Sequence, residues 1–449
     1  MNQTLPEIQG APDRIPYARF LRRRNPLRVI DDARKKYDDI VHIRFGRSEY
    51  YFLVKNPELI EQVLITKQTY FGKENYIHVF IPTWKAWLNG LVTSTTHFES
   101  HDKQRKMEQP AFHQEKVNTY SKITTDIGER FISKWSDGKV LDIAHEMVEL
   151  TTMIVAKCLF SIDIEAEAKE VCKDLGAFAS YYLQLASPLA PLLVRLPSNK
   201  KYREAIKRTN KLIAKLVDER RKTDVDKGDL LSILLKAEND KGEKMTDEQL
   251  RDQICIFFVV GHETSAACLT WTYYLLSQNP LVEQKVHQEV DSLFPNFEVP
   301  KISDIPKLEY TLKVIYESMR IYPPSWSIVR QTMKDCYLGN YFLPARSNIW
   351  ISQYLNHRDE RFFPEPDRFL PERWTDDMKK KLPNFAYFPF GGGSRRCIGE
   401  PFAWVELGLL IATISRRWQM RLAHSHKVVP LPGVTLVPKY GMKMKLESR

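Results

Sequence analysis

Residues 390–399 read Phe390-Gly391-Gly392-Gly393-Ser394-Arg395-Arg396-Cys397-Ile398-Gly399, and an apolar helical pattern begins directly after them. Each part has a physical reading. A cysteine at a helix N-terminus faces unpaired N–H groups and the positive end of the helix dipole, which favours its thiolate. Glycines let the backbone approach a bulky planar ligand and aim amides at sulfur. Arg395 and Arg396 can neutralise anionic groups such as carboxylates. Phe390 can cover the sulfur and exclude water.

One thiolate with no second Cys or His beside it does not suit structural zinc, which takes four ligands. It suits an iron whose equatorial positions are filled by a porphyrin. Two plainer readings compete. Gly-Gly-Gly-Ser-Arg resembles an anion nest for phosphate, although no G-K-[ST] and no βαβ frame accompany it. Cys397 could also be an inert cysteine at a helix start, and taken alone the segment favours that reading.

Outward from this segment the chain reads as helix-rich. A last helix is expected over about 400–418. The longest element runs over about 246–278, opened by a Thr246/Gln249 capping box and ended by Asn279-Pro280. At 1.5 Å per residue it is roughly 50 Å long. Its middle, 254–267, has few polar residues, the mark of a buried helix. Apolar residues recur at three- and four-residue spacing through 99–320, as in Ile143, Met147, Leu150, Ile154 and Cys158. Near the N-terminus, 40–45 and 50–54 alternate as a β-hairpin around a turn at 46–48. Asn56-Pro57 then opens a helix to about residue 65.

Composition bounds the rest. The 449 residues are 43% hydrophobic and 27% charged, enough for a sizeable core and unlike a disordered chain. Length by itself suggests about three domains. The formal charge of +11 leaves a basic surface, a nucleic acid, an anionic membrane or an acidic protein as partners. The longest apolar run, 254–260, is far short of the roughly 20 residues a membrane span needs, and no signal core opens the chain. A cytoplasmic, soluble protein with no transmembrane anchor is the expectation. Of six cysteines, Cys158, Cys172, Cys255, Cys268 and Cys336 read as small buried hydrophobes.

Cys397 is not an isolated signal. Phe390, Gly393, Arg395, Cys397 and Gly399 occupy every fixed position of F-x-x-G-x-R-x-C-x-G, and here the chain resembles the cytochromes P-450. Further matches follow in the family's order across essentially the whole chain. Glu317-x-x-Arg320 and Pro371-Glu372-Arg373-Trp374 correspond to a buried structural triad of Glu317, Arg320 and Arg373; read alone, Glu317 and Arg320 make an ordinary surface ion pair. Gly261-His262-Glu263-Thr264 matches the family's acid–alcohol pair. The plain account of it is that Thr264 bonds back to a carbonyl one turn earlier while Glu263 finds a polar partner. The resemblance implies instead a helix locally opened beside the haem, with Glu263 and Thr264 delivering protons to dioxygen. His101 and Arg105 correspond to one propionate site and Arg330 to the other. Val260 stands where the family usually has alanine or glycine, and would narrow the groove over the haem.

The resemblance implies one mainly α domain over 1–449 with small β-sheets and the cytochrome P-450 fold, built around a buried haem. Its helix-rich core covers about 99–320 and 399–418, and its β regions about 40–55, 337–352 and 425–447. It implies haem b (iron protoporphyrin IX) on Cys397, with Arg395, His101, Arg105, Arg330, Phe390, Gly399 and Gly261 around it. It implies monooxygenation of a hydrophobic molecule (fatty acid, terpenoid or steroid-like) by O₂. The segments 76–91, 178–196 and 325–329 would line the pocket, with Trp84, Val260, Trp326 and Ile328 as contacts. Without a fused reductase motif, electrons are expected from a separate ferredoxin or flavodoxin with its reductase, docked on Lys103, Arg105, Lys106, Arg395, Arg396 and Lys379 to Lys381. A monomer that binds no nucleic acid completes the expectation. The alternatives are a peroxygenase or isomerase of the same family, which often lacks the acid–alcohol pair, and a haem-containing binder or gas sensor.

Overall fold

Asn56 and Thr246 start their helices as their side chains predict. Asn56 Oδ1 accepts from the N–H groups of Glu58 and Leu59, with Pro57 at the first helical position. Thr246 Oγ1 accepts from Gln249 N at 3.2 Å, and Gln249 Oε1 accepts from Thr246 N at 2.9 Å, a reciprocal capping box. The computed structural model describes residues 27, 31, 39–45, 49–73, 91, 98–166, 170–172, 174, 200–223, 225–238 and 242–449. The expected turn at 46–48, the segments 76–90 and 178–196, and Trp84 lie outside them.

In chain order the described elements begin with β1 (Ile40–Phe45), β2 (Glu49–Val54), α1 (Pro57–Glu61) and β3 (Phe71–Gly72). Then come α2 (Phe98–Glu108), α3 (Gln114–Ile132), β4 (Val140–Asp142), α4 (Ile143–Phe160), α5 (Lys200–Thr223) and α6 (Leu230–Lys236). The long helix is α7 (Asp247–Gln278), followed by α8 (Pro280–Leu293) and α9 (Glu309–Ile321). After β5 (Ile328–Thr332), β6 (Cys336–Leu338), β7 (Tyr341–Leu343) and β8 (Asn348–Ile351) come the short α10 (Gln353–Asn356) and α11 (Asp376–Lys381). The chain finishes with α12 (Glu400–Ser415), β9 (Trp418–Leu422), β10 (Pro430–Pro432), β11 (Leu436–Pro438) and β12 (Lys443–Ser448).

These elements fall into two compact units. The first holds the described parts of Met1–Val79 and Thr95–Phe98 together with Glu317–Cys397. Its five-stranded sheet has the order β1-β2-β8-β5-β3, with β2 and β8 parallel. Ile40, Phe52, Val54, Ile60, Leu64, Ile349 and Ile351 form its core, and Cys336, Leu338 and Leu343 of the β6–β7 hairpin turn one face into it.

The second unit comprises the described parts of Phe80–Ser94, Glu99–Tyr316 and Ile398–Arg449. Helix α7 is its axis, packed on α4 and on α12. Phe258 of α7 stacks on Phe160 of α4, centroids 4.9 Å apart, and Trp271 is fully buried. A three-stranded sheet, β4-β12-β9, and the β10–β11 hairpin flank the helices. The last helix stops at Ser415 rather than 418. Trp418 pairs instead with Ser448 across β9 and β12 and stacks edge-on against Trp135; this tertiary pairing overrides a helix-compatible sequence.

Candidate functional site

In the first unit, glycines shape the loop before Cys397. Gly391 and Gly393 adopt left-handed backbone, with φ of 73° and 68°. A Cβ on Gly393 would lie 1.8 Å from the Leu64 carbonyl oxygen, and one on Gly392 would lie 2.3 Å from the Phe385 ring. The loop therefore presses its backbone against the turn at Gln62–Thr66, an approach that a side chain would block. Ser394 N donates to Gln68 Oε1 at 3.3 Å, and Cys397 N donates to the Phe390 carbonyl at 2.9 Å. The second bond folds the segment back on itself. Ile328 reaches this loop: its Cδ1 lies 3.6 Å from where a Gly391 Cβ would be. Trp326 is half-buried and stacks edge-on with Trp350.

Cys397 is exposed, whereas the other five cysteines are buried. Burial pushes the thiols of Cys172 up to about 11 and of Cys255 and Cys268 up to about 12, so they are inert thiols at neutral pH. Gly399 caps α12, and its carbonyl accepts from Ala403 N at 2.9 Å.

A cation cluster lies in the same unit. Arg330, on β5, is 8% exposed, and burial followed by repulsion from Arg395 lowers its guanidinium to about 9. Lys73, just after β3, is held well below the usual ammonium range by burial and then by repulsion from Arg330 and Arg395. Arg330 is buried and Lys73 and Arg395 are half-buried, and cations that repel one another there favour an anion beside them. A group with two carboxylates fits that preference, and the haem propionates are such a pair. Lys73 was not legible in the sequence, where it is one lysine among many. Beyond β5, Asp335 accepts from Ala345 N at 2.7 Å and ties the β6–β7 hairpin.

Glu317 carries the unit's structural hub. Its Oε1 accepts from Arg320 Nη2, Arg373 Nε and Leu370 N at 2.9, 3.0 and 3.0 Å. Its Oε2 accepts from Arg320 Nε and Trp374 Nε1 at 2.8 and 2.9 Å. Glu317 and Arg320 are both 0% exposed, so this is no surface pair. Arg320 also donates to the carbonyls of His357, Pro366 and Arg368. Trp374 is a fourth member that the sequence did not announce.

In the second unit, α7 is buried along most of its length but partly exposed at Val259, Val260, Gly261, Glu263 and Thr264. These partly exposed positions surround the motif. The helix is α-helical throughout rather than locally opened, and Thr264 Oγ1 donates to the Val260 carbonyl at 3.0 Å. Glu263 Oε1 accepts from Thr435 Oγ1 at 2.8 Å, and burial raises its carboxyl above the ordinary range. The plain local account of both side chains is thus observed. His262 is buried, bonds the Phe258 carbonyl and is lowered by burial to about 4, so it stays neutral. Gly261 has a packing reason: a Cβ there would lie 3.1 Å from Val155 of α4. Beside Thr264, Ser265 Oγ donates to Glu406 Oε2 at 2.5 Å, and burial pushes that acid up to about 8. His101, on α2, is 2% exposed and lies 3.2 Å from Asp102, while Arg105 is half-buried on the same helix.

The expected site residues therefore divide between the units. Cys397, Arg395, Arg330, Phe390, Trp326 and Ile328 belong to the first, and Gly261, Val260, Glu263, Thr264, His101, Arg105 and Gly399 to the second.

Comparison with known proteins adds the family. The profile described as Cytochrome P450 matches residues 15–446. Cyclooctatin synthase of Streptomyces melanosporofaciens is 35% identical over 95% of this chain and 93% of its own length. Cyclooctat-9-en-7-ol 5-monooxygenase of the same organism is 36% identical over 92% of this chain and 87% of its own. Pentalenene oxygenase of Streptomyces avermitilis is 29% identical over 95% and 94%. The crystal structure of the cytochrome P450DA haem domain superposes with a TM-score of 0.88, covering 100% of this chain and 99% of that one at 23% identity, a likeness of fold. With a mainly helical fold, small sheets and a family match along nearly its whole length, this chain belongs to the cytochrome P450 family of haem-thiolate monooxygenases.

Proposed function

We propose that this chain hydroxylates a cyclic terpenoid. The observation that carries the substrate class is the agreement among relatives that match nearly the whole chain, which are named for cyclooctatin, cyclooctat-9-en-7-ol and pentalenene. Enzymes of this kind take a hydrophobic substrate and electrons from a redox partner. We assign the donor as an acidic ferredoxin or flavodoxin with its reductase, steered by exposed cations such as Lys103, Lys106, Lys379, Lys380 and Arg396. We also assign a cytoplasmic monomer. The one described helix apolar and long enough to cross a membrane is α7, and 78% of that window is buried inside the protein.

We assign the residue roles on the support of the local geometry. Cys397, whose thiol is exposed, would hold the haem iron, and Phe390, whose carbonyl accepts from the Cys397 amide, would border that site. Lys73, Arg330 and Arg395 would hold one propionate, and His101 and Arg105 would supply further contacts. Haem supplies dioxygen binding and activation. Glu263 stores a proton, because burial favours its neutral form. Thr264 relays that proton at Oγ1, which the Val260 carbonyl orients. The β-branched Val260 side chain, on the partly exposed turn, limits the width available to substrate.

The test begins with the reduced protein under carbon monoxide. A red-shifted Soret band is expected, and Cys397→Ala should abolish it; an imidazole-type spectrum would overturn the thiolate assignment. Binding of cyclic terpene alcohols, fatty acids and steroids is then read by displacement of the iron's water. Spectral shifts with fatty acids or steroids but not terpenoids would reject the substrate class. Turnover with a ferredoxin should fall steeply as salt rises, and a flat profile would reject the docking idea.

A further inference from the structure

The β10–β11 hairpin is tied to α7 at two points. Trp271 Nε1 donates to the Leu436 carbonyl at 2.8 Å, and Thr435 Oγ1 donates to Glu263 Oε1 at 2.8 Å. The two contacts come from adjacent residues where β11 begins. The first is anchored by a fully buried tryptophan, so the hairpin cannot slide along the helix without breaking it. Thr435 is itself 3% exposed, and Gly433 N donates to the Thr435 carbonyl, which tightens the turn. The hydroxyl that reaches Glu263 is therefore held from its own side, not presented by a loose loop.

Titratable groups of α7 and of elements packed on it have other partners. Glu406 of α12 accepts from Ser265, and His262 bonds the Phe258 carbonyl. Glu283 of α8 accepts from Arg421 and Gln419 of β9, and on α4 His145 faces Glu149. Burial and the Thr435 hydroxyl are the influences that act on the Glu263 carboxyl, and they oppose each other: burial raises it and the hydrogen bond lowers it.

We propose that Thr435 is a positioning residue for the monooxygenase reaction, a latch that holds the Glu263 carboxyl against the C-terminal hairpin and sets when it is free to turn and hand on its proton. This rests on the reading of Glu263 as the proton-handling acid. While latched, Oε1 is engaged by Thr435 and the carboxyl is held at the hairpin. Release breaks one hydrogen bond and leaves the backbone of α7 unchanged. The threonine keeps its own proton throughout.

The experiment compares the wild-type holoenzyme with Thr435→Val, Thr435→Ser and Glu263→Gln. The infrared carboxyl band lost in Glu263→Gln identifies the Glu263 signal, which is then followed against pH. Thr435→Val, nearly isosteric but unable to donate, should move the protonation midpoint of that band upward, and Thr435→Ser should restore it. Product formed per electron should change in Thr435→Val and return in Thr435→Ser. A midpoint unmoved by Thr435→Val overturns the latch, even where Glu263→Gln lowers product per electron. If Glu263→Gln leaves product per electron unchanged, the role of Glu263 itself falls and the latch falls with it. Should Thr435→Val fail to hold haem, Thr435→Ala provides the same loss of donor without the added methyl, and is read in the same way.

Discussion

Replacing Glu317 by Gln tests whether the buried hub holds the first unit together. Five donors converge on this one carboxylate, and three of them belong to two guanidinium groups with almost no access to water. Glutamine keeps the shape. It cancels the charge and turns one oxygen into an N–H₂ group. If that group stands at Oε2, it meets Arg320 Nε and Trp374 Nε1, donor against donor; at Oε1 it meets three donors instead. Arg320 and Arg373 stay buried without their counter-charge. Removing one partner of a buried pair costs about 3–5 kcal/mol, out of a whole stability of about 5–15 kcal/mol. An exposed ion pair is worth about 0–1 kcal/mol. Urea unfolding followed by tryptophan fluorescence reports the difference, with Trp374 as an internal probe. The control is Asp377→Asn, which breaks the exposed Lys381–Asp377 pair and should change nothing measurable. A loss below about 1 kcal/mol for Glu317→Gln, the scale of a surface pair, would refute the reasoning.

Gly393→Ala should place a methyl against the Leu64 carbonyl at left-handed φ, and most of the purified protein should lose the thiolate spectrum; a wild-type carbon monoxide band would reject the close approach. Lys73→Met should speed haem transfer to apomyoglobin by about tenfold or more, the scale of one charged hydrogen bond to a propionate; an unchanged rate would reject Lys73 as a propionate contact. Stability should fall as pH climbs from the ordinary carboxyl range to about 8, because the unfolded chain releases the Glu406 proton first. Glu406→Gln should flatten that decline in melting temperature, and an unchanged slope would reject the buried neutral acid. Thr264→Ala should keep the carbon monoxide spectrum yet yield less product per electron; an unchanged yield would remove Thr264 from proton relay.

Local signals carried much of this fold into the sequence. Asn56, Thr246 and Gln249 act on backbone groups within a few residues, so their caps are readable from spacing. The glycines of the thiolate loop were legible for the same reason, since positive φ and close backbone approach both exclude a Cβ. Partners set by distant chain segments were not legible. Lys73 meets Arg330 and Arg395 more than 250 residues away, and Thr435 meets Glu263 across 172 residues. Nothing beside either residue marks it, and only the packed chain brings the groups together. The triad stood between these cases: Glu317 and Arg320 could be paired by helical spacing, but their burial and the indole of Trp374 came from the segment that closes over them.

One path through the first unit joins its hub to its reactive loop. Arg320 donates to the His357 carbonyl at 2.9 Å, and His357 Nε2 accepts from Phe388 N at 2.9 Å. Phe388 stands two residues before Phe390, whose carbonyl holds the Cys397 amide. The imidazole has to stay neutral to accept that bond, and burial keeps it so by lowering it to about 3. A sulfur's electron-donating power depends on how stiffly its loop is held and on the amides aimed at it. With Cys397 in its proposed role, the Glu317 hub would bear on electron uptake through this path of backbone hydrogen bonds. A change at His357 or at its two neighbours would therefore loosen the loop that carries Cys397, one influence on the reduction potential beside burial and the cations near Arg330.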